Sequence, residues 1–306
     1  MLVYDQVTAN KRRSAVLTFF FVALVVLVCL AFNFLLNFGI AGVVLAFAIA
    51  GGSAFFAYWK SDSVALAMSR ARPATVEQYP RLHNVIEGLC IASGLPKPRL
   101  YIIDDVAPNA FATGRNPKHA AVAVTTGLLE KMNRIELEAV LAHELSHIKN
   151  DDILVSTLAV TMVGVVALLA DIGVRMLFFG GGRSRSNDNN GGGNIVFLVM
   201  AALALLLLVL SPIIARLMQF AVSRRREALA DMSGVEMTRY PPGLISALEK
   251  LKDDQTVVNS ASRATAHLWI ESPLARTPEE GKMSKLNRMF DTHPPLDERI
   301  AALQEL

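Results

Sequence analysis

Cysteine is nearly absent: Cys29 and Cys90 are the only two in 306 residues. Cys29 sits in an apolar run and Cys90 in a polar, helical stretch, so the two are not expected to pair and no disulfide framework is expected. A large excess of one charge is missing too. The formal net charge is +3, and it follows from basic residues that flank the apolar runs, so it gives no argument for a nucleic-acid partner. No Ala-x-Ala site follows the first apolar run, which excludes reading that run as a cleaved signal. Histidine is scarce as well, with six in the chain. That scarcity makes a regular histidine spacing informative.

What the chain has in excess is apolar sequence, at 53%. It is concentrated at 14–33, 38–59, 153–179 and 194–222, each long enough to cross a bilayer. Lys11, Arg12 and Arg13 precede the first run, and Lys60, Arg70 and Arg72 follow the second. Lys149 precedes the third, and Arg224, Arg225 and Arg226 follow the fourth. The link between runs one and two carries no Lys or Arg, while 180–193 carries Arg183 and Arg185. The positive-inside rule then places both termini, 60–152 and 223–306 in the cytoplasm. The expected organisation is a transmembrane hairpin at 1–60 and a first cytoplasmic part at 61–152. A second hairpin follows at 153–222, with a Gly-rich outer loop at 180–193, and a second cytoplasmic part at 223–306. This is a mainly α integral membrane protein of four transmembrane helices, carrying a cytoplasmic α+β domain with a small β-sheet.

Within the cytoplasmic parts, residues 61–74 read as a linker. Thr75 and Gln78 have capping-box spacing, opening a helix that Gly94 stops. His83 and Glu87 on that helix have metal-like spacing, but a solvated face is the plainer account. Short strands are expected at 99–104, 109–113 and 120–124, then helices at 126–132 and 134–150. The small residues along 109–113 leave that strand's backbone approachable on a side with no strand partner. Ile135, Val140, Leu141 and Leu145 form the expected apolar face of the 134–150 helix, with Glu136, Glu138 and Lys149 opposite. Asp171 and Arg175, four apart near the end of the third run, are expected to form an ion pair.

The centre of the chain is His143-Glu144-Leu145-Ser146-His147. On a helix His143 and His147 share one face and can offer imidazole nitrogens to one metal ion. Glu144 lies about 100° further round, so it suits the role of base toward a water on that metal better than that of ligand. A hydrolytic zinc site needs a third protein ligand. Glu227 is the best candidate, with Asp231 on the same helical face to hold a ligand imidazole. The alternative for Glu227 is a surface pair with a neighbouring arginine.

With these residues in place, the chain resembles the HtpX-like membrane zinc metalloproteases, in the gluzincin family that includes the CAAX prenyl endopeptidases. The likeness covers nearly the whole chain. It rests on two N-terminal spans, Asn109-Ala110-Phe111-Ala112, His143-Glu144-x-x-His147, two more spans, Glu227-x-x-x-Asp231 and Thr292-His293-Pro294-Pro295. Only the Gly-rich outer loop departs from the pattern. The resemblance implies a gluzincin-type domain with one Zn2+ per chain, Glu227 as third ligand and Asp231 behind the ligands. It also implies that His293 lies near the cleft, where it would steady an oxyanion; the alternative there is a helix-start cap. The implied activity is quality control in a bacterial-type inner membrane: cleavage of damaged or misfolded membrane proteins, as unfolded segments, from the cytoplasmic side. A CAAX-type endopeptidase and an inactive zinc-binding membrane scaffold are the alternatives. Asn109, Ala110, Phe111 and Ala112 are the expected substrate-binding strand.

Overall fold

The computed structural model describes residues 3–36, 39–162, 224–254, 256–261, 265–271 and 294–306. The expectations for most of the third apolar run, the fourth run, the loop 180–193, the Asp171–Arg175 pair and Thr292-His293 lie outside these residues. The described chain is mostly helical, with one small mixed sheet.

Helix α1 (Val3–Leu36) and helix α2 (Gly39–Met68) pack along each other. Small residues make the close contact possible. Gly42, Ala46, Ala50, Ala57 and Ala65 are buried on α2, while Ile40, Phe47, Phe55 and Phe56 are exposed. Large side chains outward and small ones inward is the reverse of a helix that packs in water, and it is the pattern of helices that pack within lipid. α2 is long and apolar enough to cross a membrane. It also runs further than expected: residues 61–68 are helix and not linker, because Ser61, Asp62, Ala65 and Leu66 are buried against the rest of the fold. Asp62 is tied to Arg99 at 2.5 Å.

After α2 comes a two-residue strand, β1 (Arg72–Pro73), which the sequence reading did not anticipate. It pairs with β2 (Arg99–Ile103). Helix α3 (Pro80–Ser93) starts later than Thr75. Thr75 does accept from the Gln78 amide, at 3.4 Å, but it closes a single turn, and Pro80 then sits in the first helical position. Gly94 ends α3 at φ 70°, a left-handed cap that glycine reaches without strain. His83 bonds the carbonyl of Ala74 and Glu87 pairs with Lys97, so this pair is structural.

Strands β3 (Ala110–Gly114) and β4 (Ala120–Thr125) complete a sheet of order β1-β2-β4-β3. β2 and β4 run parallel, β3 and β4 antiparallel, so β3 is an edge strand. Helix α4 (Thr126–Lys131) leads into α5 (Arg134–Lys149), which lies against β3. Asn133 caps α5 by accepting from Ile135 and Glu136 amides, and Glu136 bonds back to the Asn133 amide. Val140, Leu141 and Leu145 face the core as expected, but Ile135 and Glu136 exchange sides. Glu136 is buried, bonded to Ser246 and Lys250, and Ile135 is 53% exposed. Burial pushes the Glu136 carboxyl up, but these hydrogen bonds outweigh it and hold the group below the usual carboxylate range.

Helix α6 (Asp152–Met162) begins the third apolar run and packs on α1 and α2 through Val155, Leu158, Ala159 and Met162. Beyond it, α7 (Arg224–Thr238) crosses α5, and α8 (Pro241–Asp253) and α9 (Leu296–Gln304) close the core.

Candidate metal centre and active site

α5 is the buried axis of the fold. Leu137, Val140, Leu141, Leu145 and Ile148 are fully enclosed, so the helix cannot rotate without breaking the core. His143 and His147 therefore hold a fixed direction toward α7. α7 comes close because Gly234 faces α5: a Cβ there would stand 3.0 Å from the His143 amide nitrogen. This approach brings Glu227 to the histidines. His143 Nε2 lies 3.7 Å from Glu227 Oε2, and His147 Nε2 lies 3.8 Å from Glu227 Oε1. The two Nε2 atoms are 3.2 Å apart. Ligands about 2.0–2.1 Å from a tetrahedral zinc ion stand roughly 3.3 Å from one another, so the three side chains have the spacing of one metal's ligands.

The far side of each ring supports that fit. His143 Nδ1 lies 2.9 Å from Asp231 Oδ1, and His147 Nδ1 lies 3.4 Å from Asp152 Oδ2. A carboxylate at Nδ1 fixes the proton there and leaves the Nε2 lone pair facing the cluster. Two lone pairs at 3.2 Å repel unless a cation or proton lies between them. Asp231 is in turn gripped by Arg299, Nε to Oδ2 at 2.8 Å and Nη2 to Oδ1 at 2.6 Å. Burial alone would raise Asp231; the guanidinium outweighs it and holds the carboxyl down at about 2. Arg226 Nη1 stands 3.9 Å from Asp152 Oδ1.

Burial pulls His147 down, but Asp152, Glu227 and Glu144 pull harder and raise it to about 9. Surroundings that favour a positive imidazole favour a divalent cation for the same reason, and the metal then competes with the proton. His143, enclosed on every side, is lowered chiefly by burial. Glu144 is 1% exposed and raised to about 7, again chiefly by burial. The amide of Ala112 on β3 donates to Glu144, while its Oε1 has no hydrogen-bond partner among the described residues. A carboxylate set near neutrality beside three metal-type ligands is poised to take and return a proton.

Residues 77–306 match the model for Peptidase family M48. The chain belongs to peptidase family M48. A protein of Streptococcus mutans named Protease HtpX homolog is 43% identical over 306 residues, covering 100% of both chains. One of the same name from Dictyoglomus turgidum is 41% identical over 301 residues, 98% of this chain and 94% of the relative. Among solved structures, the S. mikatae Ste24p crystal structure matches at a TM-score of 0.41 and 22% identity, over 86% of this chain and 64% of that one. M48 peptidases are zinc-dependent, and this chain is a membrane metalloprotease of that family.

In this M48 peptidase the structure brings together His143, Glu144, His147, Glu227 and Asp231 as the sequence spacing suggested. Glu227 faces the histidines and not the surface. Ala110, Phe111 and Ala112 form the start of the edge strand beside Glu144, with Asn109 just before it. His293 lies outside the described residues. Three residues escaped the sequence reading: Asp152, Arg299 and Gly234. Asp152 follows His147 by five positions, directly before the third apolar run at 153–179. Arg299 follows the His293-Pro294 motif in a short charged helix. Neither carries a pattern of its own, and the contacts they make are long-range.

Proposed function

We propose that this metalloprotease is a zinc-dependent endopeptidase that cleaves damaged or misfolded membrane proteins at the cytoplasmic face, with one zinc ion per chain. His143, His147 and Glu227 hold the ion, and Asp231 and Asp152 orient the two imidazoles. Zinc supplies Lewis-acid polarisation of the scissile carbonyl and of the attacking water. Glu144 takes the water's proton and returns it to the departing amine. Its closed surroundings suit both steps, because a carboxyl near neutrality is neither too weak a base nor too weak an acid. An extended substrate takes the edge of β3 at Asn109, Ala110, Phe111 and Ala112; that edge is not open as the sequence suggested, since the Ile270 amide already bonds the Ala110 carbonyl, and such pairing favours unfolded segments over intact helices. By the family resemblance, His293 steadies the developing oxyanion.

The topology belongs to the same proposal. Four spans anchor the chain in a bacterial-type inner membrane, with both cytoplasmic parts joined into one catalytic domain. The exposed apolar side chains of α1 and α2 and the length of α2 support it.

The observation that carries the reading is the convergence of three ligand-type atoms beside a buried, raised glutamate. Glu144→Gln tests the division of roles. The variant is expected to bind zinc like the parent and to lose turnover by about 100-fold or more. A zinc-free Glu144→Gln protein would give Glu144 a ligand or folding role instead.

A further inference from the structure

The edge of β3 is taken. After a 3-10 turn at Ala266–Leu268, residues 269–271 run antiparallel beside it in strand-like register. Glu271 is bonded twice to the Asn109 side chain, by its amide at 3.4 Å and its carbonyl at 3.0 Å. One step on, the Ile270 amide donates to the Ala110 carbonyl at 2.9 Å. One step further, Trp269 stacks edge-on against Phe111 with ring centroids 4.9 Å apart. Each step back along the segment is one step forward along β3, which is how an added antiparallel strand registers. Only half of the expected ladder pair forms at Ala110. The Ile270 carbonyl accepts from Arg299 Nη1 instead, at 3.0 Å.

The segment also closes the site. His267, Leu268, Trp269 and Ile270 form one wall of the cavity whose other walls include Ala112, Glu144, His147 and Glu227. About 20 Å3 is left there, room for about one water molecule. A peptide backbone does not fit in that space.

We infer that residues 265–271 are an internal strap that holds the place of substrate on the β3 edge, so that a polypeptide binds only by displacing it. This rests on the protease reading and adds a competing ligand built into the chain. The backbone pairing with β3 is incomplete. A single backbone bond joins the strap to β3, and the buried indole N–H of Trp269 has no acceptor among the described residues. Leu268 and Trp269 pack against Ala65 and Leu66 of α2 and Val160 of α6. His267 bonds the Ser156 carbonyl at 3.0 Å. The strap is therefore seated between the sheet and helices assigned to the membrane.

Two measurements test this. A strap that competes with substrate raises KM and leaves kcat alone, because only the unstrapped fraction binds. Trp269→Ala loosens the anchor and is expected to lower KM for an unfolded polypeptide by about 10-fold, at unchanged kcat and unchanged zinc content. A zinc-loaded variant with parental or higher KM overturns the strap. The second measurement needs no gain of activity and decides the matter if Trp269→Ala folds poorly. The chain has two tryptophans, so Trp59→Phe leaves Trp269 as the only reporter. In Trp59→Phe/Glu144→Gln protein, a dye-labelled, tryptophan-free unfolded polypeptide is titrated, its binding is followed by anisotropy, and Trp269 by emission and iodide quenching. Binding should shift Trp269 emission to the red and open it to iodide. Binding with Trp269 still buried would overturn the strap while leaving the protease reading intact. Failure of the parent to cleave in the presence of zinc would instead sink the protease reading.

Discussion

Each imidazole of the proposed metal site has a carboxylate behind it, and each carboxylate has an arginine: His143–Asp231–Arg299 and His147–Asp152–Arg226. The two chains differ in tightness. Asp231 touches His143 at 2.9 Å and is held bidentate by Arg299, whereas Asp152 stands 3.4 Å from His147. Loss of an outer carboxylate costs a metal site about 10–100-fold in affinity. Asp231→Asn is therefore expected near the upper end of that range and Asp152→Asn near the lower end, as read by competition with a chromophoric zinc chelator. If Asp152→Asn binds zinc as tightly as the parent, the His147 contact does not position the ring. Asparagine keeps the shape of the side chain but, like alanine, removes the charge opposite the buried Arg299 guanidinium, and breaking such a pair costs about 3–5 kcal/mol, so the melting temperature is read beside the zinc affinity.

At the scale of elements, the site is the crossing of α5 and α7, and its spacing is set by Gly234. Gly234→Val places side-chain atoms against the His143 backbone, where even a Cβ would stand at 3.0 Å. Overpacking of this kind costs about 1–3 kcal/mol, and here part of the cost falls on ligand geometry. The variant is expected to melt earlier and to bind zinc at least about 10-fold more weakly; unchanged affinity would mean the crossing has slack. Which elements were legible follows from the range of their signals. α5, the Gly94 stop, the β3–β4 hairpin and the Glu227–Asp231 face are written in patterns a few residues long. Residues 61–68 read as linker because what keeps them helical is burial against distant residues, such as the Arg99 partner of Asp62. Ile135 and Glu136 exchanged faces because Lys250 and Ser246, from α8, reach the glutamate. The strap was illegible for the same reason: 269–271 is too short a stretch to read as a strand, and it is the β3 edge that aligns it after the 3-10 turn at Ala266–Leu268.

The whole molecule joins an apolar hairpin to a closed hydrolytic core through α2, which leaves the hairpin and ends against the sheet. Phe19, Phe20, Phe47 and Phe55 project outward from α1 and α2 at 52–68% exposure, a surface that would associate in water and is at home in lipid. Topology reporters give a direct check on the proposed arrangement. A fusion after Lys60 or at Leu306 should read cytoplasmic and an insertion at Asn189 exterior; a cytoplasmic signal at Asn189 contradicts the four-span arrangement. The claim at the centre is that this membrane chain hydrolyses unfolded polypeptide with a metal held by His143, His147 and Glu227. The most direct measurement is cleavage of an unfolded membrane protein by the full chain in lipid vesicles, with metal content followed through chelation and zinc add-back. The account predicts that activity disappears as zinc is stripped and returns as the content approaches one ion per chain. Continued cleavage by the metal-free protein would contradict it.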